Sequence, residues 1–238
     1  MSHARILFIP THATLAARFL LVDREGRVIG RGELDPHQAE TPPPMRTIAV
    51  APGADVMTRW LDLPPGNMAQ ARAAARWTLR DQAAGEVEGL DVALGVAPVD
   101  GGPRLTAAVS AKLLQAWLRW METFDIRPEA VVPDNLCLPA PLEPETLSAA
   151  QVGADVVLRG AVFAVTVQPD LAEAVAAGRS LTWLEGEALD AALAAGAMAA
   201  PVDLLQVHDR RERGQAAKGW RLAAGLAAAL LVSDRKST

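Results

Sequence analysis

The sequence predicts a strand-rich α+β fold built as an internal duplication and followed by the start of a transmembrane helix. Three observations carry this expectation. Each half of the chain opens with adjacent apolar, β-branched runs before its helices begin. No short-period self-similarity runs along the chain, which sets aside solenoids and arrays. Residues 209–232 lead from the basic stretch "DRRERGQAAKG" through Trp220 into a Leu/Ala/Gly run.

The first 34 residues contain three strand-like runs, "ARILFIP", "AARFLLVD" and "RVIGRGEL", the last following a turn at Arg24–Glu25–Gly26. The loop "DPHQAETPPPM" separates them from "RTIAVAP", a short apolar run suited to a buried strand. A turn at Gly53–Asp55 leads into a fifth strand, "VMTRWLDLP", which Pro64, Pro65 and Gly66 stop. Asn67 is placed to cap a helix over 68–84, with Met68, Ala71, Ala75 and Leu79 near one face and Ala69, Ala73 and Trp77 beside them. "LDVALGVAP" and "RLTAAVS" flank "VDGG" as a hairpin. Ser110 then caps a helix whose apolar face is Leu113, Leu114, Trp117, Leu118, Met121 and Phe124. "PEAVVPDNLCLP" follows, and "PAPLEPETL" reads as a connector between halves. The second half is expected to open with "ADVVLRG" and "AVFAVTVQ". A helix capped by Asp170 and stopped at Gly178, the run "SLTWLEG" and an Ala-rich helix over 187–195 come next.

A chain of 238 residues that is half hydrophobic and about one-fifth charged is globular, not disordered. Its formal net charge of −5 gives no basic excess to offset phosphates, so no nucleic-acid partner is expected. The single cysteine, Cys137, excludes an internal disulfide and lies between two leucines, as an inert buried thiol would. The apolar run near the N-terminus spans about five residues, short of the ~7–15 of a signal peptide, so the front of the chain is expected in the cytoplasm.

Motifs that carry chemistry are missing from the sequence. His3, His12, His37 and His208 are scattered without ligand spacing. There is no G-x-S-x-G elbow, no phosphate-binding G-x-x-x-x-G-K-[ST], and Gly26, Gly30 and Gly32 do not form G-x-G-x-x-G. Ser233 and Lys236 make an S-x-x-K in a short polar tail that cannot hold a site. Glu86, Glu88 and Asp91 read as a solvated loop rather than a general acid/base set. These gaps favour a binding or scaffolding role over an enzyme, with no catalytic residue, cofactor or metal site assigned. Arg72, Arg76 and Arg80, spaced by four, align on one helix face. They read either as a solvated edge or as a contact stripe for an acidic partner.

The terminal run has its own logic. The eleven residues Leu222–Val232 would reach about 16 Å as a helix. A bilayer core of about 30 Å needs ~20 residues, so the run cannot span as it stands. Basic residues on its N-terminal side, with Trp220 at the boundary, match a cytoplasmic flank entering a membrane. Trp220, Leu222, Leu226, Leu230, Leu231 and Val232 are therefore read as the first half of an anchor, and "SDRKST" as a non-native tail.

The segment "WLDLPPGNMAQARAAARWTLRDQAAGEVEGLDVALG" resembles the L protein family of the bacterial type II secretion system. Leu63, Pro64, Ala74, Ala75, Leu79, Asp81 and Gln82 match its pattern, while Arg80 stands where the family often has Glu. The resemblance continues in "AWLRWMETFDIRPEAVVPDNLCLP", at Pro133, Asp134, Leu138 and Pro139. It implies an actin-like (RNase H-like) duplicated fold: a first lobe with an inserted subdomain over 1–140, a second lobe over 141–208, a basic flank and truncated membrane segment over 209–232, and the tail 233–238. It also implies a single-pass inner-membrane protein whose cytoplasmic domain recruits the secretion ATPase (the E protein) and whose further parts bind the M protein; a homodimer is allowed. The alternative is an actin-like nucleotide-binding protein, an ATPase or a pilus-assembly relative. Actin-like proteins hold ATP through D-x-G loops in each half, and neither "FIPTHATLAARFLLVD" nor "VGADVVLRGAVFAVTV" carries one.

Overall fold

The computed structural model describes residues 4–38, 41–80 and 89–206. Contacts divide the chain into two units, Met1–Leu204 and Leu205–Thr238. The first holds every strand and helix named below. Of the second, only residues 205 and 206 are described. The membrane-anchor residues, Trp220 to Val232, lie outside the described residues, as do His208, Glu86 and Glu88; Asp91, read with those glutamates as part of a solvated loop, is instead buried on the strand Leu90–Leu94. Among the described residues no helix is long and apolar enough to cross a membrane.

The N-terminal runs fold as an antiparallel meander, β1 (Ala4–Phe8), β2 (Ala17–Val22) and β3 (Val28–Leu34). β4 (Thr47–Ala51) then returns parallel to β1 on its other side. A parallel return commonly uses a helix. Here the described parts of the connection, residues 35–38 and 41–46, hold a turn and irregular chain but no helix; Pro42, Pro43 and Pro44 lack the amide a helix needs. Arg5, buried on β1, fastens this loop by donating from Nη2 to the Pro43 carbonyl at 2.9 Å. All five residues of β1 and of β4 are buried, which accounts for the continuous apolar runs rather than an alternating pattern.

A second, three-stranded sheet is inserted next: β5 (Met57–Leu61), β6 (Leu90–Leu94) and β7 (Arg104–Ser110), in the order β5-β7-β6. The helix α1 (Met68–Arg80) packs Ala71, Ala75 and Leu79 against Leu61, Val92, Leu94 and Ala108 of this sheet. Asn67 caps it as expected. Its Oδ1 accepts from the Ala69 and Gln70 amides, and the Gln70 side chain returns a bond to the Asn67 amide. Asn67→Ala is expected to cost about 1 kcal/mol in a urea titration, the usual value of such a cap.

The helix α2 (Ala111–Glu122) buries Leu114, Trp117 and Met121, with Phe124 beyond its end, while Leu113 and Leu118 are half-buried. Ser110 holds the N-cap position, but its side chain makes no capping bond, so that part of the expectation is corrected. β8 (Ala130–Pro133) then completes the first sheet, parallel to β4, in the order β3-β2-β1-β4-β8. Its outer edge is closed by the chain itself: Val131 donates to the Asp203 carboxylate at 3.0 Å and accepts from the Leu204 amide at 2.9 Å.

The third sheet repeats the first in outline. β9 (Thr146–Val152), β10 (Asp155–Gly160) and β11 (Phe163–Val167) form an antiparallel meander, and β12 (Ser180–Trp183) returns parallel to β9. Sequence reading opened this half with β10 and missed β9. Its sequence, "TLSAAQV", is small and polar and follows a Pro-rich connector, yet Leu147 to Ala150 are all buried. The return uses a helix here, α3 (Pro169–Ala176), which packs Ala172 and Ala176 on Leu147, Ala149, Val156 and Leu158. Asp170 is not its cap. Gln168 precedes the helix, Pro169 occupies the first turn, and Asp170 lies inside it. The final helix, α4 (Gly186–Ala199), runs longer than the Ala-rich stretch suggested at both ends. It lies on the first sheet, where Asp190 accepts from Arg18 of β2 at 3.4 Å and from Arg31 of β3 at 2.6 Å.

Candidate functional site

The arginines singled out from the sequence lie along α1, on the inserted sheet. Arg72 is half-buried and Arg76 is exposed; the side chain of Arg80 lies outside the described residues. Trp77, grouped near the apolar face by its spacing, instead has 67% of its surface in solvent. The outward side of α1 therefore carries a large aromatic beside a cation, a combination enriched in protein-binding surfaces.

The other site lies in the cleft that the duplicated sheets share. It has a volume of about 390 Å³. The β1–β2 turn (Pro10, Thr11, Leu15, Ala16) forms one wall and the β9–β10 turn (Val152 to Asp155) the other. These are the two hairpins in which an actin-like protein would carry its phosphate loops. Their chemistry here is different. Glu33, Asp134 and Asp155 contribute carboxyl groups to the lining, and among the described residues Arg18 is its one cation. Arg18 is already engaged, lying over the Phe8 ring at 3.9 Å and bonded to Asp190. Anionic walls of this kind oppose a triphosphate instead of cradling it.

At the base of the cleft a polar knot joins the sheets. Asp134 follows β8 in a 3-10 turn (Asp134–Leu136) and is only 5% exposed. It accepts from the Thr166 hydroxyl of β11 at 2.6 Å and from the amides of Gly53 and Asn135. Thr58 of β5 donates to Asn135 at 3.3 Å, bringing in the inserted sheet. Burial pushes the Asp134 carboxyl up to about 6, against the pull of its hydrogen bonds. Asp55 is raised too, first by burial and then by Asp155. A Cβ at Gly53 would collide with Asp134 Oδ1 and Thr166 Oγ1 and lie 2.8 Å from Asn135 Nδ2. Only glycine lets these groups meet. Sequence reading had no signal for the knot beyond the Pro-Asp pair at 133–134. Cys137, next to it, is buried and its thiol is shifted upward by burial and by Asp134, in keeping with an inert role. Among the described residues no group of three or more His, Cys, Asp or Glu is arranged to hold a metal.

The family model of type II secretion system protein L matches residues 26–180. Type II secretion system protein L of Dickeya chrysanthemi is 32% identical over 112 residues, which are 46% of this chain and 28% of that protein. Among solved structures, the cytoplasmic domain of EpsL, an inner-membrane component of the type II secretion system of Vibrio cholerae, superposes with a TM-score of 0.69. That likeness has 16% identity and covers 85% of this chain and 98% of that one. The PilM–PilN type IV pilus biogenesis complex gives a TM-score of 0.51 at 17% identity, covering 92% of this chain and 78% of that one. The two structural likenesses agree with the actin-like, duplicated α+β architecture. With the family pattern running from the β2–β3 turn to the start of β12, this chain belongs to the type II secretion system protein L family.

Proposed function

We propose that this chain is the cytoplasmic part of a single-pass inner-membrane platform protein that recruits the secretion ATPase (the E protein) to the membrane. In this reading Trp220 to Val232 begin the anchor, and the parts beyond it bind the M protein. The lobes divide near residue 140, with the inserted sheet belonging to the first. The chain acts as an adaptor and not as an enzyme, and works without a nucleotide cofactor. The family match over residues 26–180 carries the proposal. The likeness to a cytoplasmic domain from an inner-membrane component supports it, and so does the acidic cleft, which is ill-suited to phosphates.

The test is binding of the full chain to the N-terminal domain of the cognate secretion ATPase, followed by calorimetry. Saturable binding is expected. Reversing Arg72, Arg76 and Arg80 together to Glu is expected to weaken it at least about tenfold if the α1 stripe is the contact. No binding at high micromolar concentration would overturn the recruitment reading. Binding that ignores the triple reversal would return the stripe to an ordinary solvated face.

A further inference from the structure

The first sheet holds a second recess, on the face turned away from α4. Arg18 and Arg31 reach Asp190 of α4 from one face of β2 and β3. Phe19 and Leu21 alternate to the other face, together with Arg5, which pairs with Leu21 in register. These three side chains form a floor, and Pro42, Pro43 and Met45 of the β3–β4 connection form a wall. The recess has a volume of about 430 Å³, within the range of small-molecule sites. Gly32 helps to shape it. A Cβ there would fall on the Phe19 ring, so the ring lies across β3 only because residue 32 has no side chain.

Arg5 is the one cation of this lining among the described residues. It is 2% exposed, yet no carboxylate among the described residues pairs with it. Its side chain makes one hydrogen bond, from Nη2 to the Pro43 carbonyl, and its Cζ lies 5.5 Å from the centre of the Phe19 ring. Nε is buried without a partner. A carbonyl dipole and a ring face do not neutralise a guanidinium, and a buried cation without an anion is costly. Burial accordingly lowers the Arg5 pKa with nothing to offset it. Arg18 shows the contrast: burial lowers it too, but Asp190 opposes the shift. Fastening the loop takes one N–H of the guanidinium fork, which leaves the others for an anion from outside.

The two carboxylates of the lining do not fill this role. Glu33 stands opposite Arg18 in register, on the α4 face of the sheet and away from Arg5. Asp35 is occupied at the rim, where it accepts from Gln38 Nε2 at 3.0 Å and from the His37 amide at 2.9 Å. Both restrict what can enter, because they repel a doubly charged anion more strongly than a single carboxylate. We propose that this recess binds a carboxylate carried on an apolar body, with the carboxylate on Arg5 and the body against Phe19, Leu21 and Met45.

Isothermal titration calorimetry of the full chain with phenylacetate tests this. Saturable binding to one site is expected. Phenylacetamide, the uncharged isostere, is expected to bind at least about tenfold more weakly, the worth of a charge-assisted hydrogen bond. Arg5→Gln is expected to weaken phenylacetate binding by the same factor. Because Arg5 also holds the loop, a second variant separates binding from folding. Thr41→Glu, at an exposed position of the lining, puts a carboxylate into the recess and is expected to abolish binding with the melting temperature unchanged. N-acetylphenylalanine stands in for the end of a peptide chain. Tighter binding of it than of phenylacetate supports the site as a receptor for a chain end, and weaker binding supports it as one for a free acid. No binding of either acid at millimolar concentration would overturn the proposal. So would an amide that binds as well as the acid, inorganic phosphate that binds as tightly, or acid binding that ignores both variants.

Discussion

Gly196→Ala is expected to destabilise the fold by about 3 kcal/mol or more, the upper part of the range for overpacking a closed interior. Gly196 lies within α4 where the helix presses on the turn after β8. A Cβ there would fall on the carbonyl oxygen, carbonyl carbon and Cα of Cys137. All three are backbone atoms, so no rotamer change can relieve the collision. Alanine is otherwise the better helix former by about 1 kcal/mol, which makes the sign of the effect diagnostic. Relief requires α4 to lift away, and α4 also holds Asp190, to which β2 and β3 are tied. Urea titration followed by circular dichroism reads the loss. Gly102→Ala, where an added methyl group meets nothing within 4 Å, serves as the neutral comparison.

The second large effect concerns pH. Asp134 titrates at about 6 in the folded chain and near 3.9 unfolded. A carboxyl raised by folding keeps its proton in the native state between those values while the unfolded chain has lost it. Stability from this group is therefore full below about pH 4, declines as pH rises toward 6 and stays reduced above it. Asp134→Asn keeps an acceptor for Thr166 and Gly53 but carries no charge to desolvate. Relative to the parent, the variant is expected to gain stability between pH 4 and pH 7, by on the order of 3 kcal/mol. All other carboxylates are common to the two proteins, so the difference between their urea midpoints across that window reports the Asp134 charge together with its coupling to Asp155. A flat difference would place the residue in a solvated setting that the geometry excludes.

Elements with local punctuation were legible in the sequence. The first four strands, the Asn67-capped helix and α2 each announced themselves through apolar period, a turn or a cap. β9 did not, because its burial comes from neighbours on both sides and not from its own side chains, which are mostly small. Trp77 was misplaced for a related reason: spacing assigns a face, but the edge of the apolar stripe is set by where the sheet beneath α1 ends. The polar knot was out of reach. Thr166 stands 32 residues from Asp134, and Gly53 belongs to a separate turn that only the parallel packing of β4 and β8 brings alongside. The two hairpins flanking the cleft were located by resemblance, and their lack of D-x-G was read correctly from the sequence.

The position of β8 also shapes how the chain can be made. β4 ends at Ala51 and its neighbour β8 begins at Ala130, with the whole inserted sheet and α2 between them. At ribosomal rates of about 5–20 residues per second, the β1–β4 meander waits roughly 4–16 s for its last strand. During that interval β4, buried along its full length in the finished fold, presents an apolar open edge. The nascent chain has strong reason to engage a holdase until residue 133 clears the exit tunnel. Within the inserted sheet the β6–β7 hairpin, whose contacts are local, can form in the meantime, while β5 must wait for β7 to be made.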